Sequence, residues 1–241
     1  MAPQPIRRVA LITAMRSEMR PLVRTLSLQR SHRGDLPVYE GRIGDVDVVG
    51  AVTGMGVTAA AEVTERLLAA APVDHVVVSG ISGGVGTAKL HDLIVPELVV
   101  HGSTKVRYQH TPLGGAAARG TLWTTDPIMF DVDTLTQLGR DGVIAVDMET
   151  AAIAEVSERR GVPWSVFRVI SDMAINGPVD DAVFNLAHPD GSPNVPASIR
   201  FLLTHPWRIP RLVRLGRDAK ASADAAAAAA VAAISTVSSP S

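Results

Sequence analysis

The sequence contains no cysteine, which excludes disulfides, thiolate-bound zinc and thiol catalysis. Aromatic residues make up only 4% of the chain, so any surface on which a flat ring stacks must be small. Charge of one sign is also lacking. The formal net charge is -1, and nothing global recruits nucleic acid or an anionic membrane. Long apolar runs are missing as well. The first, Val9-Ala-Leu-Ile-Thr13, is too short for a signal-peptide core or a membrane span, and a polar segment follows it. A cytoplasmic protein is the expectation.

Hydrophobic residues nevertheless make up 46% of 241 residues, enough for one sizeable core. Short runs rich in Val and Ile at 8–13, 46–53, 74–80, 92–101, 143–148 and 164–171 read as strands. Most are continuous rather than alternating, as in strands covered on both faces. Residues 57–71 and 150–160 carry apolar positions at helical spacing, and Gly161 and Pro163 close the second helix. Strands alternating with helices predict an α/β fold with a mixed or mostly parallel sheet. Residues 111–120 read as a loop and 195–204 as a helix.

The C-terminal part differs in composition. Arg208, Arg211, Arg214, Arg217 and Lys220 recur every third position, with Trp207, Ile209, Leu212 and Leu215 between them. A basic amphipathic helix on a membrane surface is one reading, and a solvated surface helix is the commoner one. Residues 221–234 are nearly all alanine, expected to form helix but to bury little, and the last residues are expected to be disordered. A catalytic domain over 1–204 and a helical tail over 205–241 follow.

Four segments at strand ends carry candidate chemistry, where open α/β sheets hold their ligands. Ala14-Met15-Arg16-Ser17-Glu18 follows the first strand. Its carboxylate suits a base on water, or simply an acid in a first helical turn. Thr53-Gly54-Met55-Gly56 and Ser79-Gly80-Ile81-Ser82-Gly83-Gly84 are glycine loops whose N–H groups can cradle a hydroxyl or an anion, or make a tight turn. Neither is a Walker or dinucleotide motif. Asp147-Met148-Glu149 and Ser171-Asp172 end apolar strands with acids. A partly desolvated acid there has its pKa raised toward that of a general acid, although a helix cap uses the same residues. The histidines show no metal-ligand spacing, and no serine lies in a nucleophile elbow.

Taken in order, the segments AMxxE, TGMG, SGxxGG, VDMET and VxRVISD resemble the purine nucleoside phosphorylase/uridine phosphorylase superfamily. Within it they look most like the 5′-methylthioadenosine/S-adenosylhomocysteine nucleosidases. The resemblance implies a three-layer sandwich, a central mixed sheet flanked by helices. It implies an enzyme that hydrolyses the N-glycosidic bond of a 5′-modified adenosine and releases adenine, with no cofactor or metal and as a homodimer.

By the same resemblance Asp172 protonates the purine at N7, with Ser171 orienting it, and Glu18 activates the attacking water. Met148 and Glu149 lie against the ribose, and Met55 and Gly56 line its sugar side. Ile81 and Gly83 of the second glycine loop and Ile128, beside Pro127, complete the substrate-binding set.

Phosphorolysis is the alternative. The superfamily's hexameric phosphorylases resemble a pattern with an arginine and a serine on phosphate, and those positions hold Val78 and Ile81 here. Water is therefore the implied acceptor. A catalytically silent nucleoside-binding protein is a further alternative. Between Tyr108 and Thr125 the chain is shorter than the nucleosidases, which implies an open 5′ side and a bulkier 5′ group. The segment from His188 to Lys220 resembles hopanoid-associated nucleosidase/phosphorylase proteins, implying a lipid-linked substrate and a membrane-facing basic helix.

Overall fold

The computed structural model describes residues 5–115, 117–126, 131–174 and 209–238. Ile128, Pro127 and the helix expected at 195–204 lie outside the described residues. The continuous apolar runs form the middle of the sheet. β1 (Arg8–Thr13) is followed by α1 (Arg16–Leu26), β2 (Gln29–Arg33), β3 (Leu36–Ile43), β4 (Val46–Val52), α2 (Val57–Ala70) and β5 (His75–Gly84). Then come β6 (Leu93–Ile94), β7 (Leu98–His101), β8 (Arg107–Tyr108), β9 (Thr121–Thr124) and α3 (Val132–Arg140). β10 (Val143–Asp147), α4 (Thr150–Arg159), β11 (Trp164–Met173) and a long α5 (Ile209–Ser235) complete the described chain.

The sheet runs β2-β3-β4-β1-β5-β10-β9-β7-β8, with β11 paired to β5 and β6. β1 pairs in parallel with β4 and β5, and β5 pairs in parallel with β11. The end of β5 leaves this parallel set, with Gly83 and Gly84 pairing antiparallel to β10. The sheet is therefore mixed, as expected. The parallel strands β1, β4, β5 and β11 end at one edge, which brings Glu18, Met55, Ile81 and Asp172 to the same side.

Successive residues of a strand face opposite sides. Val76 and Val78 meet Ala60 and Leu67 of α2 and Ala151 to Ala154 of α4 on one face. Val77 meets Met19 and Leu22 of α1 and Ala227 and Ala230 of α5 on the other. Two helical layers thus enclose the sheet.

Three expectations need correction. Residues 92–101 form two short strands rather than one, broken at Val95-Pro96-Glu97, where the missing proline N–H interrupts a ladder. The alanine run does not bury little. Ala223, Ala226, Ala227, Ala230, Ala233 and Ile234 are all buried at helical spacing. Small side chains let α5 lie close to the sheet, and Ser222 Oγ donates to Ile170 O at 2.8 Å. The helix also continues through Ser235, with Thr236 and Val237 bonded back to Ala233 and Ile234, so order extends past the expected end.

Candidate active site

Arg168 lies in the apolar strand β11 and is 1% exposed. A guanidinium so buried needs partners. Its Nη2 donates to Asp147 Oδ2 at 2.7 Å and reaches Glu149 Oε2 at 3.4 Å, while Nη1 lies 3.8 Å from Glu18 Oε1. Nη1 also donates to Ile81 O at 3.3 Å. Burial opposes its charge, but Asp147, Glu149 and Glu18 more than offset that and raise its pKa. One cation therefore faces three carboxylates.

Asp147 ends β10 and is fully committed to structure. Thr124 Oγ1 donates to its Oδ1 at 2.7 Å, and Thr150 donates to Oδ2 through N–H at 3.2 Å and also through its hydroxyl. Asp147, not Glu149, thus meets the first turn of α4. Glu149 stands at the N-cap of α4 yet makes no cap bond. It turns instead to the start of α2, where Gly56 N–H donates to Oε1 at 3.0 Å. Gly56 holds φ at 98°, a conformation that a side chain would strain. Burial, more than Asp147 and Glu18, pushes the Glu149 pKa up to about 7, even with Arg168 lowering it.

Glu18 sits in the first turn of α1 and is 2% exposed. Its Oε2 accepts from Met15 N at 2.8 Å, and its Oε1 accepts from Ile81 N at 2.8 Å. One oxygen closes the helix turn while the other faces Arg168, so the first-turn position leaves the second oxygen beside the buried cation. Gly80 makes the approach feasible. A Cβ there would stand 2.4 Å from Glu18 Oε1 and 2.5 Å from Arg168 Nη1. Burial raises the Glu18 pKa despite Arg168 and the backbone donors.

Asp172 is near the end of β11, past a register shift between Ile170 and Asp172. Such a bulge leaves one residue unpaired and re-aims its neighbours. Ser171 is that residue, and its hydroxyl donates to Asp172 Oδ1 at 2.6 Å. Burial raises the Asp172 pKa, with the Ser171 bond opposing it. The acid is thus held toward its protonated form while half-exposed at the sheet edge.

The remaining sequence candidates divide. Met148, half-buried, immediately precedes Glu149, and Met55 stands in the loop that Gly54 N–H ties to Ala14 O at 3.0 Å. Ile81 contributes backbone on both sides of the Glu18–Arg168 contact. Gly83 lies where β5 passes between β11 and β10, and a Cβ there would meet Val146 at 3.1 Å. Its visible role is strand packing. Val78 is buried in the core.

Sequence reasoning passed over Arg168 and Asp147, although both stand in the quoted motifs. The available signal was a single cation inside a continuous apolar strand. Among the described residues no group of three or more His, Asp and Glu is arranged to hold a metal ion, and no helix is long and apolar enough to cross a membrane.

Directly after Tyr108 the chain runs away from these acids, and it returns to Asp147 only at Thr124 and Thr125. Thr111 N–H donates to Trp164 O at 2.7 Å, at the opposite end of β11 from Asp172. Eight residues at ~3.3 Å each put that point about 26 Å from the acid.

Comparison with known proteins places the chain by family and fold. The family model described as the phosphorylase superfamily matches residues 8–115 and 109–195. The 5′-methylthioadenosine/S-adenosylhomocysteine nucleosidase of Haemophilus influenzae is 28% identical over 196 residues, 68% of this chain and 86% of its own. The solved structure of the nucleosidase of that name from Neisseria meningitidis, in complex with methylthio-immucillin-A, has a TM-score of 0.73. It is 19% identical, with 95% of this chain and 99% of that chain covered. Futalosine hydrolase of Helicobacter pylori has a TM-score of 0.72 at 16% identity, with 95% and 98% covered. At such identities these structures establish the fold alone, and their different names show that the fold does not choose a substrate.

Proposed function

The chain belongs to the phosphorylase superfamily, and we propose that it hydrolyses the N-glycosidic bond of a 5′-modified adenosine. One observation carries this reading. Glu18 and Glu149 share the buried cation Arg168, while Asp172, raised in pKa, stands four residues further along β11. The bond breaks through a sugar with oxocarbenium character, and a purine leaves poorly as an anion. Asp172 gives its proton to N7, so the base leaves neutral. General acid catalysis of this kind contributes ~10²–10⁴-fold, about 3–5 kcal/mol of barrier. Glu149 accepts from the ribose hydroxyls and opposes the positive charge that develops on the ring. Glu18 takes a proton from water on the other face as the C–O bond forms.

Water as acceptor is supported by the charge balance. Arg168 is the cation nearest these acids among the described ion pairs, and its charge is already met by three carboxylates. A phosphate would add to the negative excess. The test is adenine release from 5′-methylthioadenosine and S-adenosylhomocysteine, with and without phosphate. Release without phosphate supports hydrolysis. Release only with phosphate identifies a phosphorylase, and binding without release identifies a silent nucleoside-binding protein.

The finer proposals are a 5′ group bulkier than methylthio, including a lipid-linked one, and a cytoplasmic homodimer. The course of the chain after Tyr108, away from the acids, supports an open 5′ side. Exposed Val213, Arg214, Arg217 and Lys220 on the first turns of α5 support a peripheral membrane contact. Co-sedimentation with phosphatidylglycerol vesicles, but not phosphatidylcholine vesicles, checks the contact. Light scattering checks the dimer.

A further inference from the structure

Beside the acids, a cavity of about 500 Å³ opens between the start of α1, the β2–β3 hairpin and the loop after β4. Its volume suits a small-molecule group. Val38, Tyr39, Val52 and Met55 give it an apolar wall, and Arg16 and Arg30 stand at it as cations. Arg30 and His32, two residues apart on β2, point to one face, and both line the cavity. The cavity adjoins the sugar residues directly. Arg16 lies two residues before Glu18, and Met55 precedes the Gly56 N–H that holds Glu149.

The strand order gives the cavity a direction. From Asp172 on β11 the sheet runs through β5 and β1 to β4 and β3. Strands ~4.8 Å apart put β4 roughly 14 Å from the strand of the acid. A ribose with its base at Asp172 and its hydroxyls at Glu149 turns its 5′ carbon away from the base, because C1′ and C4′ flank the ring oxygen on opposite sides. Its 5′ carbon then faces β4 and the cavity. Directly after Tyr108, Thr111 is tied to Trp164, at the far end of β11 from Asp172.

We propose that this cavity binds the 5′ substituent and selects one with an apolar arm ending in an anionic group, a carboxylate or a phosphate ester. The inference rests on the nucleosidase reading for the orientation of the substrate. The apolar wall takes the arm, and Arg16 and Arg30 meet its charge. Exposed ion pairs contribute up to about fivefold each, so two cations favour the charged arm by at most about 25-fold, and about tenfold is expected.

The experiment compares 5′-pentylthioadenosine with 5′-(4-carboxybutyl)thioadenosine, arms of equal length. The kcat/KM ratio is read on the wild type, and the Kd ratio by calorimetry on Asp172→Asn, which does not depend on turnover. The expected ratio favours the carboxylate about tenfold in both. Arg30→Ala should reduce it at least threefold, Arg30→Lys should restore most of it, and Arg107→Ala, at the far end of the sheet, should leave it unmoved. Equal ratios, or preference for the pentyl arm, with both nucleosides hydrolysed, overturn the cavity assignment and leave the nucleosidase reading standing. A tenfold, Arg30-dependent Kd ratio without hydrolysis supports the assignment while the nucleosidase reading fails. If phosphate raises turnover of both arms and Arg30→Ala abolishes that rise, the cavity holds an acceptor anion and the proposal is overturned.

Discussion

Arg168 Nη2 and Asp147 Oδ2 form a 2.7 Å ion pair between β11 and β10, with side chains 1% and 2% exposed. Breaking a buried pair leaves an uncompensated charge, at a cost of about 3–5 kcal/mol. Asp147→Ala should lose that much by urea denaturation at pH 7. Arg168→Met leaves the carboxylates facing one another. Its loss should be largest above pH 7 and smaller at pH 5, where protons replace the missing cation.

Glu149 predicts a second pH effect. Its folded pKa of about 7 lies above the ordinary glutamate value of 4.5. The folded state therefore holds a proton that the unfolded chain releases, so stability is fully present below pH 4.5 and declines as pH rises through 7. The shift corresponds to at most about 3 kcal/mol. Glu149→Gln should be more stable than wild type at pH 8, equal to it near pH 4, and much less active. Denaturation at the two pH values checks the sign, and equal differences at both would contradict it.

His75 acts in the opposite sense. It is buried at the start of β5, its Nε2 lies 2.7 Å from Ser165 Oγ, and burial, with His110 nearby, lowers its pKa to about 4. The unfolded chain takes up a proton that the folded one refuses. Stability is then full above pH 6.5 and lost as pH falls toward 4, by up to about 3 kcal/mol. Against Glu149 this flattens the wild-type curve between pH 4.5 and 6.5. His75→Asn should steepen the net decline of stability with rising pH, and Glu149→Gln should make the loss on the acid side more prominent.

Gly80 tests the close approach of the charged cluster. Its Cβ would overlap Glu18 Oε1 and Arg168 Nη1, which are buried and held by other bonds. Gly80→Ala should cost about 1–3 kcal/mol from overpacking and lower kcat more than it changes KM. Unchanged kcat would show that the Glu18–Arg168 contact has slack.

Much of this was legible from the residues. β1, β5 and β11 announced themselves as continuous Val/Ile runs, and α2 and α4 as helical periods with clear ends. The β2–β3 hairpin was not, because Gln29 to Arg33 is a polar edge strand with almost nothing buried. α3 and β9 are short, and their burial depends on neighbours far along the chain. The packing of the alanines of α5 was hidden for a related reason, since alanine in a helix signals propensity and says nothing of what covers it. Glu18, Glu149 and Asp172 were legible as strand-end acids. Their distribution was not: that Arg168 ties two of them together and leaves Asp172 apart follows from the sheet order.

Asp172 is the proposed acid for the leaving base. The most direct measurement compares wild type with Asp172→Asn on two ribosides, 5′-methylthioadenosine and its 4-nitrophenyl counterpart. Cleavage of its C1′–O bond releases 4-nitrophenolate, a stable anion that needs no proton. The account predicts a fall of ~10²–10⁴-fold on the adenosine and only a few-fold on the nitrophenyl riboside. Equal losses on both, or near wild-type activity on the adenosine, would contradict it.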